Sequence, residues 1–159
     1  MLRSRSLDVR GPPAPLPAGH AVRLADPAEP ADLDAAAAAT NAVFAVSFSG
    51  RTIALEHRFP SARESVVVVA PDGTVASWCG VTVEPSVGIG WFEPVGTRPD
   101  HRRRGLAVAA MAFGLGRMRE RGALVARVGT GAANEANRLH VALSFAEVHV
   151  HHRWRWSPA

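Results

Sequence analysis

The chain has 159 residues, 47% hydrophobic and 20% charged, a size and balance that suit one globular domain and exclude disorder throughout. Its single cysteine, Cys79, excludes an internal disulfide framework and a multi-cysteine zinc site, and makes a reducing, cytoplasmic setting the expectation. All 18 basic residues are arginine, which excludes Schiff-base chemistry; a net charge of only +4, with no basic stripe interleaved with aromatics, gives no nucleic-acid partner.

The segment from Met1 to about Ala18 is polar and then proline-rich. Its arginines are followed by no apolar run of signal-peptide type, so residues 1–19 are expected as a disordered tail and 20–159 as a single domain. Ala21–Leu24 reads as a short strand. Ala31–Phe44 reads as an alanine-rich helix with Glu29 and Asp32 near its positive end. Thr52–His57 is expected as a second helix that stops before Pro60. Val66–Ala70 is a four-valine strand, Pro71-Asp72-Gly73 supplies a tight turn, and Thr74–Val83 returns as the hairpin partner. After a turn at Glu84–Ser86, the meander continues as a strand from about Gly88 to Thr97.

Apolar spacing then predicts a helix to about Arg121, with Val108, Met111, Leu115 and Met118 as its buried stripe and Gly122 at its end. Ala123–Gly129 reads as a strand, Ala133–Leu143 as a helix, and Ala146–Trp156 as one long or two short closing strands. That order gives an α/β or α+β domain with a mixed sheet. The longest apolar runs, Val66–Ala70 and Ala35–Ala39, are far shorter than the ~20 residues of a bilayer span, so no membrane partner is expected. Cys79, beside Trp78, reads as a buried inert thiol. His149 and His151 share a strand face, but Glu147 is the one carboxylate nearby, so an ordinary sheet face is expected and no metal. Trp154 and Trp156 suit core packing or a homodimer contact.

The stretch that carries chemistry is Glu93–Ala107, EPVGTRPDHRRRGLA. A strand feeds a short loop, and the loop opens directly into a helix. The first N–H groups of a helix have no intrahelical partner, and the macrodipole adds about half a positive charge there. Gly105 lets a phosphate approach the backbone, and Ala107 keeps the first turn slim. Arg102, Arg103 and Arg104 surround the mouth with guanidinium groups. This design suits a pyrophosphate. It is not a G-x-x-x-x-G-K-[ST] loop, nor a G-x-G-x-x-G turn after a strand.

The segment fits [Q/R]-x-x-G-x-[G/A] after the lead Val95-Gly96-Thr97-Arg98-Pro99, and is followed by Asn134 and the run NRLHVALSF. It resembles the acetyl-CoA-binding motif of the GNAT superfamily of N-acetyltransferases, over about residues 20–156 and most strongly from Val66 onward. Closest in character are bacterial members with a PDGT hairpin turn and a FEPVGT…HRRRGL core, often found as one half of a tandem. The resemblance implies a GNAT-like, mostly antiparallel sheet with helices on both faces and a splayed parallel strand pair that admits the thioester. It implies that backbone groups at Val95 and Thr97, with Gly96 between them, pair with the pantetheine arm of acetyl-CoA. The N–H groups across Arg102, Arg103, Arg104, Gly105, Leu106 and Ala107, with the Arg102 side chain, would hold the pyrophosphate. Asn134 would contact the pantetheine or cap the following helix.

For acetyl transfer to a primary amine by direct attack in a ternary complex, the site needs a neutral amine, a polarised carbonyl and a protonated leaving thiolate. Glu93 is the candidate base, directly or through a water. Strand alternation puts it on the face of Val95 and Thr97, where burial in a cleft would tune its carboxylate. A main-chain N–H near Val95 would polarise the thioester carbonyl. The family's usual tyrosine acid is replaced by His140, and its Gly-Phe by Ser144-Phe145; with no tyrosine in the chain, His140 is the candidate acid. A thiolate can also leave without a dedicated acid. The acceptor would be a small-molecule or peptide amine. The alternative is a non-catalytic acyl-CoA-binding or regulatory module.

Overall fold

Side chains that branch at Cβ favour extended backbone, and the four valines ahead of the Asp72-Gly73 turn form a buried strand inside the sheet. In the computed structural model, which describes residues 1–8, 15–56 and 63–150, the chain runs β1 (Leu2–Ser6), β2 (Ala21–Leu24), α1 (Pro30–Phe44) and α2 (Gly50–Glu56). It continues with β3 (Glu64–Val69), β4 (Val75–Glu84), β5 (Ile89–Thr97), a short 3-10 turn at Pro99–His101, and α3 (Leu106–Glu120). β6 (Val125–Gly129), α4 (Ala136–Ala142) and β7 (Ala146–His149) close it. The seven strands form one sheet in the order β2-β3-β4-β5-β6-β1-β7. Every neighbouring pair is antiparallel except β5 and β6. The mixed, mostly antiparallel sheet expected from the sequence is therefore present.

The parallel pair supplies the splay. β6 pairs with β5 from Ile89 to Phe92 only, so Glu93–Thr97 run on with no strand partner on that side among the described residues. α3 and α4 cover one face, where Phe92, Met111, Leu115, Met118, Leu143 and Phe145 share a core. α1 covers the other, packing Ala39 and Val43 with Trp78, Val67 and Val75. α2 packs on α1 through Ile53 against Leu33, Ala36 and Ala37. On α3 the buried stripe is wider than expected: Leu106, Ala110 and Gly114 join Met111, Leu115 and Met118, while Val108 is only half-buried. A bidentate ion pair from Arg117 to Glu64, at 3.0 and 2.7 Å, fastens α3 to β3. Among the described residues no helix is long and apolar enough to cross a membrane.

One expectation is overturned. Leu2–Ser6, assigned to a disordered tail, is a strand in the sheet interior, between β6 and β7. Its polar side chains find partners there: Arg3 bonds the Asn137 side chain, and buried Arg5 donates to the Leu143 carbonyl at 2.7 Å. Both contacts join residues more than 130 positions apart, which no local pattern reveals. The expected end of the second helix at His57, and His151, His152, Trp154 and Trp156 of the closing segment, lie outside the described residues.

Candidate functional site

The site is built where β5 and β6 part. Between the pairs Cys79–Val95 and Val81–Phe92, β4 contributes one residue, Gly80, and β5 contributes two, Glu93 and Pro94. This bulge resets which way side chains point. Before it, Phe92 faces the α3 core and Trp91 faces the opposite side; after it, Val95 packs on the α3 core instead. Glu93 therefore lies on the face of Trp91, and not, as simple alternation predicts, on that of Val95 and Thr97. It is also exposed rather than buried. Arg63 donates to the Glu93 carbonyl and holds the bulge in place.

The bulge also fixes the free edge of β5. The Gly96 carbonyl accepts from Ser77 Oγ at 2.8 Å, and the Arg98 N–H donates to Ala76 O at 2.9 Å, so both turn toward β4. Alternation within the strand then aims the backbone groups of Val95 and Thr97 the other way, toward the gap that β6 has left. Thr97 Oγ1 meets Ser77 Oγ at 2.8 Å, which pins the end of the strand. An extended ligand carrying amide groups could add to this edge as a further strand does.

From Thr97 the chain turns through Pro99–His101 into α3. Arg102 Nε reaches back to Thr97 O and Arg104 to Asp100 O, each at 3.3 Å. Arg103, with φ of 60°, adopts a left-handed conformation rare for a residue with a side chain. Gly105 is the N-cap at φ 76°, which glycine takes without penalty. Among the described residues no side chain caps the helix, and none lies within 4 Å of where a Gly105 Cβ would be. Among the described residues, Ala109 is the first amide of α3 with a backbone acceptor, the Gly105 carbonyl at 3.1 Å. Leu106 is buried and anchors the first turn, while Arg102, Arg103, Arg104 and Gly105 are exposed and Ala107 is half-buried. The result is an open, positively biased helix start whose unpaired amides are chemically able to accept an anion.

Asn134 sits at the start of α4, on the same end of the parallel pair as the start of α3. Its Oδ1 accepts from the Ala136 N–H at 2.9 Å, which ties its side chain to the first turn of α4.

His140 differs most from expectation. It is 2% exposed, with its ring tilted on Phe145 at 6.2 Å, and its Nδ1 finds no partner among the described residues. Burial, and to a lesser degree the nearby Arg3 guanidinium, pulls its pKa down to about 4. The ring is neutral at pH 7, which removes the imidazolium that an acid role needs. The depressed value has a consequence for stability. The unfolded chain takes up this proton near pH ~6.5 and the folded one only near pH 4, so stability falls as pH drops through that window, by about 3 kcal/mol in full. His140→Phe should keep the packing and flatten the curve. Denaturation at pH 7 and pH 4 checks this, and parallel wild-type and variant curves would contradict it. Cys79 is fully buried, as expected, and burial pushes its thiol pKa up, so it is no nucleophile.

A feature the sequence analysis missed completes the site. A cavity of about 610 Å³ opens beside the bulge, lined by Thr40, Phe44, Val46, Phe48, Arg63, Thr82, Trp91, Glu93 and Pro94. The loop between α1 and α2 forms its outer wall. The Asn41 amide clasps Phe48, donating to its carbonyl at 2.9 Å and accepting from its N–H at 2.7 Å. Arg127, from β6, lies over the Trp91 ring at 5.6 Å. The alternation Phe44-x-Val46-x-Phe48 between two helices was the available signal. Glu93 thus stands between the cavity and the open edge of β5.

Comparison with known proteins agrees with this construction. A family profile described as "Acetyltransferase (GNAT) family" matches residues 36–145. A GCN5-related N-acetyltransferase from Sphaerobacter thermophilus superposes with a TM-score of 0.72 at 22% identity, covering 91% of this chain and 47% of that one. The ribosomal-protein-S18-alanine N-acetyltransferase from Escherichia coli gives 0.66 at 20% identity, covering 82% and 79%. AAC(6')-Iy, in complex with the bisubstrate analogue CoA-S-monomethyl-acetylneamine, gives 0.69 at 17%, covering 87% and 99%. At these identities the structural likeness speaks for the fold. The chain spans about half the length of the Sphaerobacter protein. No curated protein matches it in sequence. With the profile spanning more than half of its residues, over both the β5–α3 cradle and α4, this chain belongs to the GNAT family of acetyltransferases.

Proposed function

We propose that this protein transfers an acetyl group from acetyl-CoA to a primary amine by direct attack. The observation that carries the reading is one continuous surface, in which the open edge of β5 leads into the uncapped start of α3 and borders a cavity with a carboxylate at its rim. Val95, Gly96 and Thr97 would receive the pantetheine arm strand-fashion. The amides from Arg102 through Arg103, Arg104, Gly105 and Leu106 to Ala107, with the Arg102 side chain, would hold the pyrophosphate. Asn134 supports this indirectly, by holding the start of α4 at the same end of the gap.

In the reaction the amine nitrogen forms a bond to the thioester carbonyl carbon, the C–S bond breaks, and the thiolate of CoA departs. Glu93, or a water it binds, takes the proton that the ammonium must lose before attack, and the nitrogen's second proton, lost as the amide forms, passes to solvent. A main-chain N–H near Val95 would stabilise the charge that develops on the carbonyl oxygen. With His140 neutral and buried, the thiolate leaves without a dedicated acid and takes its proton from solvent, which a leaving group of pKa ~8.5 permits. Among the described residues none is poised as a covalent carrier, the lone Cys79 being fully buried, which supports a ternary complex. A reducing, cytoplasmic setting suits the lone buried thiol.

The burial of His140 is also what favours the second reading, a module that binds acyl-CoA without turnover. Calorimetry with acetyl-CoA and free-thiol release with an amine panel separate the two. Under the transferase reading Glu93→Gln lowers kcat by roughly 100-fold, in the ~10²–10⁴ range of a general base, while acetyl-CoA affinity stays within about twofold. Equal losses in both would make Glu93 structural, and binding without thiol release would leave only the module.

A further inference from the structure

We infer that the acceptor is a monoamine carried on an apolar, aromatic-sized body, and that polycationic aminosugars are poor acceptors. The inference rests on the transferase reading and adds the class of its second substrate. Three of the large apolar side chains that remain exposed, Phe44 at 45%, Val46 at 37% and Phe48 at 37%, lie within five residues of one another. All three line one cavity, and such clusters mark binding surfaces. Trp91 adds an aromatic wall from the sheet. Because the Asn41 clasp holds Phe48 by both of its backbone groups, the apolar wall is already formed before a ligand arrives.

Charge decides against a polycation. Among the described lining residues there is one carboxylate, Glu93, and one guanidinium, Arg63, so the wall as a whole is neutral. A single ammonium can pair with Glu93. Each further ammonium would be desolvated against phenyl rings, with no second carboxylate among the described lining residues to meet it. A volume of about 610 Å³ lies within the usual range for small-molecule sites and leaves room for a one- or two-ring amine.

The test is thiol release with 2-phenylethylamine and tryptamine against spermidine and neamine, on the full chain and on Phe48→Ala and Phe48→Glu. We expect kcat/KM for 2-phenylethylamine to exceed that for neamine by at least tenfold. Phe48→Ala should raise KM for 2-phenylethylamine roughly tenfold, as loss of a phenyl contact does, with KM for acetyl-CoA unchanged. Phe48→Glu should narrow the preference. A higher kcat/KM for neamine or spermidine than for the aromatic amines, or a Phe48→Ala variant with unchanged aromatic-amine KM, overturns the inference and leaves the transferase reading standing. If no amine releases thiol although acetyl-CoA binds, the transferase reading fails on its own. Calorimetry of 2-phenylethylamine on the acetyl-CoA-loaded protein then decides the acceptor class: binding that is lost in Phe48→Ala supports it, and no binding overturns it.

Discussion

Deleting residues 1–8 is expected to cost the protein its cooperative fold. β1 is matched to β6 over five residue pairs and to β7 over three, and among the described residues β7 has no other neighbour in the sheet. Without β1, β7 loses that ladder and β6 becomes a bare edge. The same deletion removes Leu7, 3% exposed in the core, worth about 2 kcal/mol of apolar burial. It also strips the Leu143 carbonyl of Arg5, and Arg119 of its bond to the Leu7 carbonyl at 2.7 Å. Each lost hydrogen bond contributes about 1 kcal/mol net, so the loss of a whole interior strand rivals the ~5–15 kcal/mol that holds a domain together. Thermal melts followed by circular dichroism should show no sigmoidal transition for the shortened chain. A transition within about 5 °C of the full chain would mean that β1 is dispensable.

Gly80→Ala is expected to damage stability and activity together. A Cβ at this position would stand 2.2 Å from the Glu93 carbonyl oxygen and 2.5 Å from the Arg63 guanidinium. One of these is backbone, so the bulge itself must move. Overpacking of this kind costs about 1–3 kcal/mol, which for a domain of this size lowers Tm by roughly 3–10 °C. The displaced residues are Glu93 and Pro94, at the junction of cavity and strand edge, so kcat/KM for the amine should fall about 10–100-fold, as misplacement by a fraction of an ångström to an ångström does. Gly116→Ala is the matched control. It lies in α3 with nothing within 4 Å of the new Cβ, and the change should stabilise by about 0.5–1 kcal/mol through helix propensity. If both variants melt alike and retain activity, the close approach at Gly80 does not constrain the bulge.

What could be read in the sequence was what local rules encode. The valine run before Pro71-Asp72-Gly73, the 3.6-residue spacing from Met111 to Met118, and a glycine at the entrance to a helix each fix φ and ψ, or a buried face, within a few residues. The cradle at Arg102–Ala107 belongs to this class, because the N-terminus of a helix after a strand presents unpaired amides whatever surrounds it. Three decisions were taken elsewhere. Leu2–Ser6 carries too few apolar residues to announce a strand, and becomes one because β6 and β7 offer its backbone two ladders and the turn between α4 and β7 offers its arginines the carbonyls of Leu143 and Phe145. The side to which Glu93 points depends on a one-residue mismatch with β4, a property of register between strands that neither strand shows alone. The state of His140 depends on burial against Phe145 beside Arg3, which turns a residue that would titrate near neutrality into a neutral part of the core. Local sequence thus determined most of the elements and the uncapped helix start that follows β5. Pairing and packing between distant segments decided which strand completes the sheet, which carboxylate meets the cavity, and which histidine keeps its proton off, because these depend on contacts that exist only after the chain has closed on itself.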